Sequence, residues 1–230
     1  VSSQGDTAHT PLSLEDLKGH PHTVLKDEGQ GAARVVRYDL PEGPVVLKEW
    51  IPKGSRLMAA WARLWMRREI RHYRSLNGTS GVPHYRGHDG DTALIIEFVE
   101  GTPIHRGLPP ERLHPGLDSL DRVLEALHAA RFAHLDLHQK LNALIDTSGH
   151  TWVIDLGQGL DCSRGVLRRM IFPLLARVDR IAALKFRARY APETLPEKDR
   201  ERLVKRFSRR NTPWQKSLGR KLRRKILGES

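Results

Sequence analysis

Two short apolar runs joined by four turn-forming residues constrain this chain most. NALID (residues 142–146) and TWVID (residues 151–155) flank Thr-Ser-Gly-His, which predicts a β-hairpin. A hairpin returns its two ends to the same side. Asn142 at its entry and Asp155 at its exit are therefore expected near one another, with Asp136 on the loop just upstream. Any one of these residues alone reads equally well as a turn or capping residue; the order of all three is what carries information.

The chain has 230 residues, enough for one good core or two small lobes. Hydrophobic residues at 39% and charged residues at 29% fit a folded, soluble chain. No run approaches the length of uncharged apolar sequence that a membrane span needs. The start, VSSQGDTAHT, lacks the basic and apolar segments of a secretory signal. A single cysteine, Cys162, excludes an intrachain disulfide and a Cys-rich metal site, so a reducing, cytoplasmic setting is expected. The formal charge of +12 favours an anionic partner: a phosphate ligand, an acidic lipid surface or nucleic acid.

Residues 1–22 are polar and rich in His, Pro and Gly, and are expected to be loosely held. VVRYDLPEGPVVLKEW predicts a hairpin turning at Pro-Glu-Gly-Pro. Residues 56–76 predict a long helix, with Leu57, Trp61, Leu64, Trp65, Ile70 and Leu76 as its core-facing stripe. Strands are expected at residues 82–86 and 93–98, a helix at 117–130, and a basic helix from Gly165 to about Arg189. The last 30 residues are strongly basic. The order, strands first and helices later, predicts an α+β chain in two lobes. The boundaries fall at 1–22 for the N-terminal segment, 23–100 for a β-rich lobe, 101–213 for a shortened helical lobe and 214–230 for a basic tail.

Phosphoryl transfer needs a cation at the phosphates, metal ions held by hard oxygens, and a carboxylate that positions the attacking hydroxyl. Candidates for each appear in order. Gly29 and Gly31 in GQGAARVV let backbone N–H groups approach an anion, although the third glycine expected there is Arg34 and an ordinary turn fits too. Lys48 ends the strand VVLK, and Glu69 follows on the long helix as its ion-pair partner. Glu49 is a rival by sequence but points to the other face of the strand. LIIEFVEG is a buried strand leaving into a loop, where Glu97 and Val99 present backbone groups. His134 and His138 flank Asp136, and without a third ligand His134 reads as a packing residue that orients the loop.

These stretches together resemble the protein-kinase-like superfamily, whose signatures are a Gly-rich loop, VAIK, a helix Glu, HRDLxxxxN and DFG. Here they read GQGAAR, VVLK, REIRHYRSL, HLDLHQKLN and DLG, over roughly residues 24–157. The resemblance implies a two-lobed protein-kinase-like fold that binds ATP and Mg²⁺, with Mn²⁺ as a substitute. It implies that Gly29 and Gly31 cover the phosphates, Lys48 binds them, and Glu69 holds Lys48. Glu97 and Val99 would meet the adenine. Asp136 would be the catalytic carboxylate, Asn142 and Asp155 the metal ligands, and Lys140 a supporting cation in the catalytic loop.

Two departures stand out. Asn142 falls six positions after Asp136 instead of five, with Leu141 in the usual slot, which predicts a one-residue insertion. Leu135 replaces the Arg that would contact a phosphorylated activation loop. YAPE (residues 190–193) resembles the end of an activation segment, but too few residues follow it for the usual peptide-binding helices. A basic helix soon after DLG is similar to bacterial lipopolysaccharide-core heptose and Kdo kinases and to compact RIO-type kinases. The expected acceptor is therefore a sugar or glycolipid hydroxyl, or a protein hydroxyl for a RIO-like Ser/Thr kinase. A nucleotide-binding pseudokinase scaffold is the non-enzyme alternative. The chain is expected to be monomeric and cytoplasmic, with its amphipathic tail (residues 214–230) either in peripheral contact with the inner face of the cell membrane or docked by its few apolar residues on the helical lobe. A nucleic-acid-binding module finds only Phe207 and Trp214 as stacking candidates in the tail.

Overall fold

The computed structural model describes residues 10–27, 33–50, 55–105, 107–137 and 140–201, with side chains not described at 140. The chain folds into two compact units. The described residues up to Val99 together with Asp155–Gln158 form the first; the described residues of Glu100–Ile154 and from Gly159 to Glu201 form the second. Among the described residues no helix is long and apolar enough to cross a membrane.

The first unit is an antiparallel sheet with one long helix. A short helix, α1 (Leu14–Leu17), leads into β1 (His22–Lys26), β2 (Arg34–Leu40) and β3 (Gly43–Glu49). The expected hairpin is present, and Leu40 pairs with Gly43 across the Pro41-Glu42 turn. Gly43 has φ 120°, a backbone conformation that only glycine adopts without strain. Helix α2 (Arg56–Ser75) comes next, with the Ser55 side chain capping its first turn by accepting the Met58 N–H. Strands β4 (Tyr85–Asp89) and β5 (Ala93–Glu97) complete a five-stranded sheet of order β1-β2-β3-β5-β4.

Side-chain alternation divides this sheet into two faces. Val45 and Leu47 join Leu17, Leu40, Ala93 and Ile95 in one core cluster. Val46 and Lys48 point the other way, opposite Ile96 and Leu94 on β5. The N-terminal segment was expected to be loose, but its described part is anchored. Leu12 donates its N–H to the Arg86 carbonyl, and α1 buries Leu17 against the sheet. Gly87 makes the approach possible, because a Cβ there would lie 2.0 Å from the Leu12 carbonyl oxygen.

Helix α2 forms where expected but turns a different face inward. It buries Ala62, Met66, Glu69, Ile70 and Tyr73. Leu57 is 82% exposed and Trp61 58%, and Leu64 is exposed as well. Of the expected stripe, Ile70 and Leu76 are buried and Trp65 is half-buried, while Leu57, Trp61 and Leu64 face outward and Met66, Glu69 and Tyr73 take inward positions.

The second unit opens with β6 (Thr102–Pro103) and α3 (Pro110–Ala129). Helix α3 starts seven residues earlier than expected, because Pro115 and Gly116 are accommodated inside it instead of breaking it. β7 (Phe132–Ala133) follows, then a 3₁₀ turn at Lys140–Asn142 and the hairpin β8 (Ala143–Ile145) and β9 (Thr151–Val153). β6 pairs with β8, and β8 with β9. Gly116 lets the hairpin pack closely on α3, since a Cβ there would fall 2.2 Å from Ile145 Cδ1. After a second 3₁₀ turn at Leu156–Gln158, β10 (Leu160–Asp161) pairs with β7.

Helix α4 (Val166–Tyr190) runs 25 residues, as expected, with Pro173 inside it. Phe172 and Ala176 cluster with Ala133 and Cys162 beneath it. Arg187 ties α4 to α3 through Asp118 (2.8 Å) and Asp121 (2.7 Å). Tyr190 of YAPE is the last residue of α4 and Pro192–Thr194 form one 3₁₀ turn, so the motif ends a helix here.

Candidate functional site

In the first unit, Lys48 leaves β3 on the face that meets α2. Its Nζ lies 2.8 Å from Glu69 Oε1 and 3.0 Å from Asp155 Oδ1. Glu69 is buried, whereas the Asp155 side chain is 48% exposed. Burial pushes the Lys48 ammonium towards losing its proton, but the two carboxylates outweigh that and hold it above its ordinary value. Burial pushes the Glu69 carboxyl up. Lys48 pulls it back, and the nearby Asp155 adds to the rise. Lys48 therefore stays a cation, and it is the charge that draws Glu69 towards the ionised form.

Asp155 sits at φ 61°, a left-handed conformation that is strained for a residue other than glycine. Helix α2 holds the turn in place. Tyr73 Oη accepts the Asp155 N–H at 3.2 Å, His72 Nδ1 lies 2.8 Å from the Leu156 carbonyl oxygen, and Arg68 reaches the Gln158 carbonyl. Burial first, then the neighbouring Glu69 and Asp155 charges, push the Tyr73 phenol well above its ordinary value, so it remains a neutral hydroxyl. Gly157 passes within contact distance of the acids: a Cβ there would lie 3.3 Å from Glu69 Oε2 and 3.5 Å from Asp155 Oδ1. Tyr73, His72 and Arg68 were not singled out in the sequence, although their spacing along α2 places them near Glu69.

In the second unit, Asp136 and Asn142 come together and both are buried. Asn142 Nδ2 donates to the Asp136 carbonyl and to its Oδ2, each at 3.1 Å. In the 3₁₀ turn Leu141 is 68% exposed, while Asn142, 6% exposed, turns inward. Ile154 N–H then bonds the Asn142 carbonyl, extending the hairpin pairing by one step.

His134 orients this loop, as its position suggested. Its Nδ1 accepts the Asp136 N–H at 3.3 Å, which leaves Nε2 to donate to the Ile154 carbonyl at 3.0 Å. The residue that sequence reasoning missed is Asp179 on α4. Its Oδ2 accepts from His134 N (2.8 Å) and His128 Nε2 (3.2 Å), and its Oδ1 accepts from Leu135 N (2.8 Å). Leu135 has φ 64°, so one buried carboxylate fixes a strained turn immediately before Asp136. The one hint in the sequence is that Asp179 is the lone acidic residue in an otherwise basic helix, which marks the residue but not its partners.

The remaining candidates divide. Glu97 ends β5, its N–H bonded to the His84 carbonyl and its carboxylate accepting the His84 N–H; Val99 is the last residue of the first unit before the chain passes to the second. Gly29, Gly31, the Lys140 side chain and the tail from residue 214 lie outside the described residues. No group of three or more His, Cys, Asp or Glu suited to a metal occurs among the described residues. A divalent cation would therefore depend on one or two hard oxygen donors and on the ligand's own oxygens, the arrangement Mg²⁺ accepts. The Asp155 carboxylate in the first unit and the Asn142 amide in the second each carry an oxygen donor of that kind.

Comparison with protein-family models gives no match, and no curated protein matches by sequence. Among solved structures, the chain is similar to the Rio2 kinase from Chaetomium thermophilum, determined as an ADP/Mg²⁺–phosphoaspartate complex. Identity is 14% and the TM-score 0.54, over 93% of this chain and 67% of that one. At that identity the likeness concerns the fold, and it agrees with a sheet-rich first unit and a helical second: the chain has an α+β, protein-kinase-like fold.

Proposed function

We propose that the chain is an ATP- and Mg²⁺-dependent phosphotransferase acting on an alcohol group. The observation that carries this reading is the Lys48–Glu69–Asp155 cluster: a cation held protonated by two acids, one buried and one half-exposed on a strained turn. An ordinary structural ion pair needs neither the second acid nor the strain. Lys48 meets the nucleotide phosphates, with Gly29 and Gly31 over them and Glu97 and Val99 offering backbone groups to the base. Asp155 and Asn142 serve as oxygen ligands for Mg²⁺, which offsets phosphate charge when bound. Asp136 orients the acceptor hydroxyl and takes its proton, and Lys140 adds positive charge.

The acceptor we favour is a sugar or glycolipid hydroxyl, as in a lipopolysaccharide-core kinase. The excess of 12 positive charges and the basic amphipathic sequence from Trp214 support work on the cytoplasmic side of an anionic membrane. A compact RIO-like Ser/Thr protein kinase is the second reading, and the likeness to the Rio2 kinase supports it. Transfer of labelled phosphate from ATP decides between them, with membrane glycolipid extract, protein substrates and buffer alone as acceptors. Label in glycolipid supports the first reading and label in protein the second. Tight Mg²⁺–ATP binding with no transfer anywhere leaves a pseudokinase.

A further inference from the structure

Helix α4 turns a second, unused face to solvent. Val166, Leu167, Met170, Leu174 and Val178 are all exposed, from 47% at Val178 to 77% at Val166. At 100° per residue these five side chains fall within an arc of about 120°, roughly opposite the arc that buries Phe172, Ala176, Asp179 and Ala183. Twelve residues of helix make a stripe about 18 Å long. Exposed apolar residues scattered singly are ordinary; a contiguous stripe along one helix is a docking surface.

The charges beside it select the partner. Arg168, Arg169, Arg177 and Arg180 are all exposed on the same helix. Arg168 bonds the backbone carbonyl of Asp161, and Arg169 that of Ser163, both neutral acceptors. The lone acid of the helix, Asp179, is buried and faces away from the stripe. A single convex helix whose aliphatic face has Arg177 within it and Arg169 and Arg180 along one edge offers no groove for a peptide. It matches the boundary between anionic headgroups and acyl chains.

We infer that α4 docks the protein on an anionic bilayer, with Leu167, Met170 and Leu174 at the level of the acyl chains and the arginines among the headgroups. The inference stands on α4 alone; it needs neither phosphotransfer nor the basic tail.

The test uses the full chain and vesicles of phosphatidylcholine with and without phosphatidylglycerol. Leu174→Cys carries a polarity-sensitive fluorophore; the native Cys162 is buried and should not compete for it. On anionic vesicles the label should shift to the blue and be quenched by brominated acyl chains. The variant L167E/M170E/L174E, checked for an unchanged thermal melt, should lose co-sedimentation. Arg177→Gln with Arg180→Gln should weaken it by about thirtyfold. Three results overturn the inference: a label that stays in water while the protein sediments, which assigns binding to the tail; a triple variant that sediments like the parent; or a parent that ignores vesicles but forms a dimer that the triple variant dissolves.

Discussion

Asp179 accepts the backbone N–H of Leu135 at 2.8 Å, and Leu135 is one of three non-glycine residues with positive φ among the described residues. A side chain on α4 therefore sets the conformation of the loop that carries Asp136, forty-odd residues upstream. The same carboxylate takes the His134 N–H and His128 Nε2. Asp179→Ala would withdraw the acceptor from three buried donors and let a strained turn relax. The expected cost is about 3–5 kcal/mol, read as a lower urea midpoint. Asp179→Asn keeps one acceptor oxygen and should cost less. A midpoint within error of the parent in the Ala variant would show that the loop does not depend on this anchor.

Tyr73→Phe isolates the hold of α2 on the Asp155 turn. The ring stays, so packing is kept, and only the acceptor of the Asp155 N–H is removed. A stability loss of about 1 kcal/mol is expected. Under the proposed function the larger effect is on Mg²⁺-dependent nucleotide affinity, because the half-exposed carboxylate loses its fixed backbone. Calorimetric titration with Mg²⁺–ATP checks this; a stability loss with unchanged affinity would make Tyr73 a structural residue only.

How much of this was legible in the sequence depended on what produced the signal. The hairpin from Ala143 to Val153 was legible, because a turn sequence and two apolar runs act locally. The Lys48–Glu69 pair followed from motif order, and the structure brings the two together. Helix α2 was found, but its orientation only in part, since Ile70 and Leu76 are buried as expected. Periodicity reports where the large apolar residues lie, and here Leu57, Trp61 and Leu64 face solvent while Ala62, Glu69 and Tyr73 face inward. Asp179 was missed for a related reason. Its partners are main-chain N–H groups at residues 134 and 135, and no side-chain pattern records a backbone that needs an acceptor.

Asp146 gives a pH prediction. Its Oδ1 accepts from the Ser148 hydroxyl and from the N–H groups of Ser148 and His150, and its Oδ2 accepts from Trp152 Nε1 at 2.9 Å. Burial raises its carboxyl, but these donors outweigh burial and leave it below the ordinary value. A carboxyl lowered in the folded state stabilises the fold above the unfolded pKa, near ~3.9. That contribution disappears as pH falls through the folded value. Asp146→Asn should therefore lower the urea midpoint at pH 7, by about 1–2 kcal/mol, and much less at pH 3. An equal gap at both pH values would assign the effect to packing instead of charge.

Asp136 and Asp155 should fail in different ways if the proposed function is right. Asp136 is buried, and its Oδ2 accepts from the amide of Asn142, so the carboxylate is fixed in place. Such a group suits an acceptor hydroxyl, whose proton a carboxylate can take. Asp155 instead contacts Lys48, the expected phosphate-binding cation. Asp136→Ala should reduce phosphate transfer by about 100- to 10,000-fold while leaving Mg²⁺–ATP affinity close to that of the parent. Asp155→Ala should weaken Mg²⁺-dependent nucleotide binding itself, and the affinity that remains should no longer depend on Mg²⁺. Calorimetric titration with ATP, with and without Mg²⁺, separates the two outcomes once transfer has been measured on the same preparations. Equal loss of affinity and turnover in Asp136→Ala would remove it from the acceptor side. Nucleotide affinity indifferent to both Mg²⁺ and Asp155 would leave a scaffold that binds nucleotide without using it.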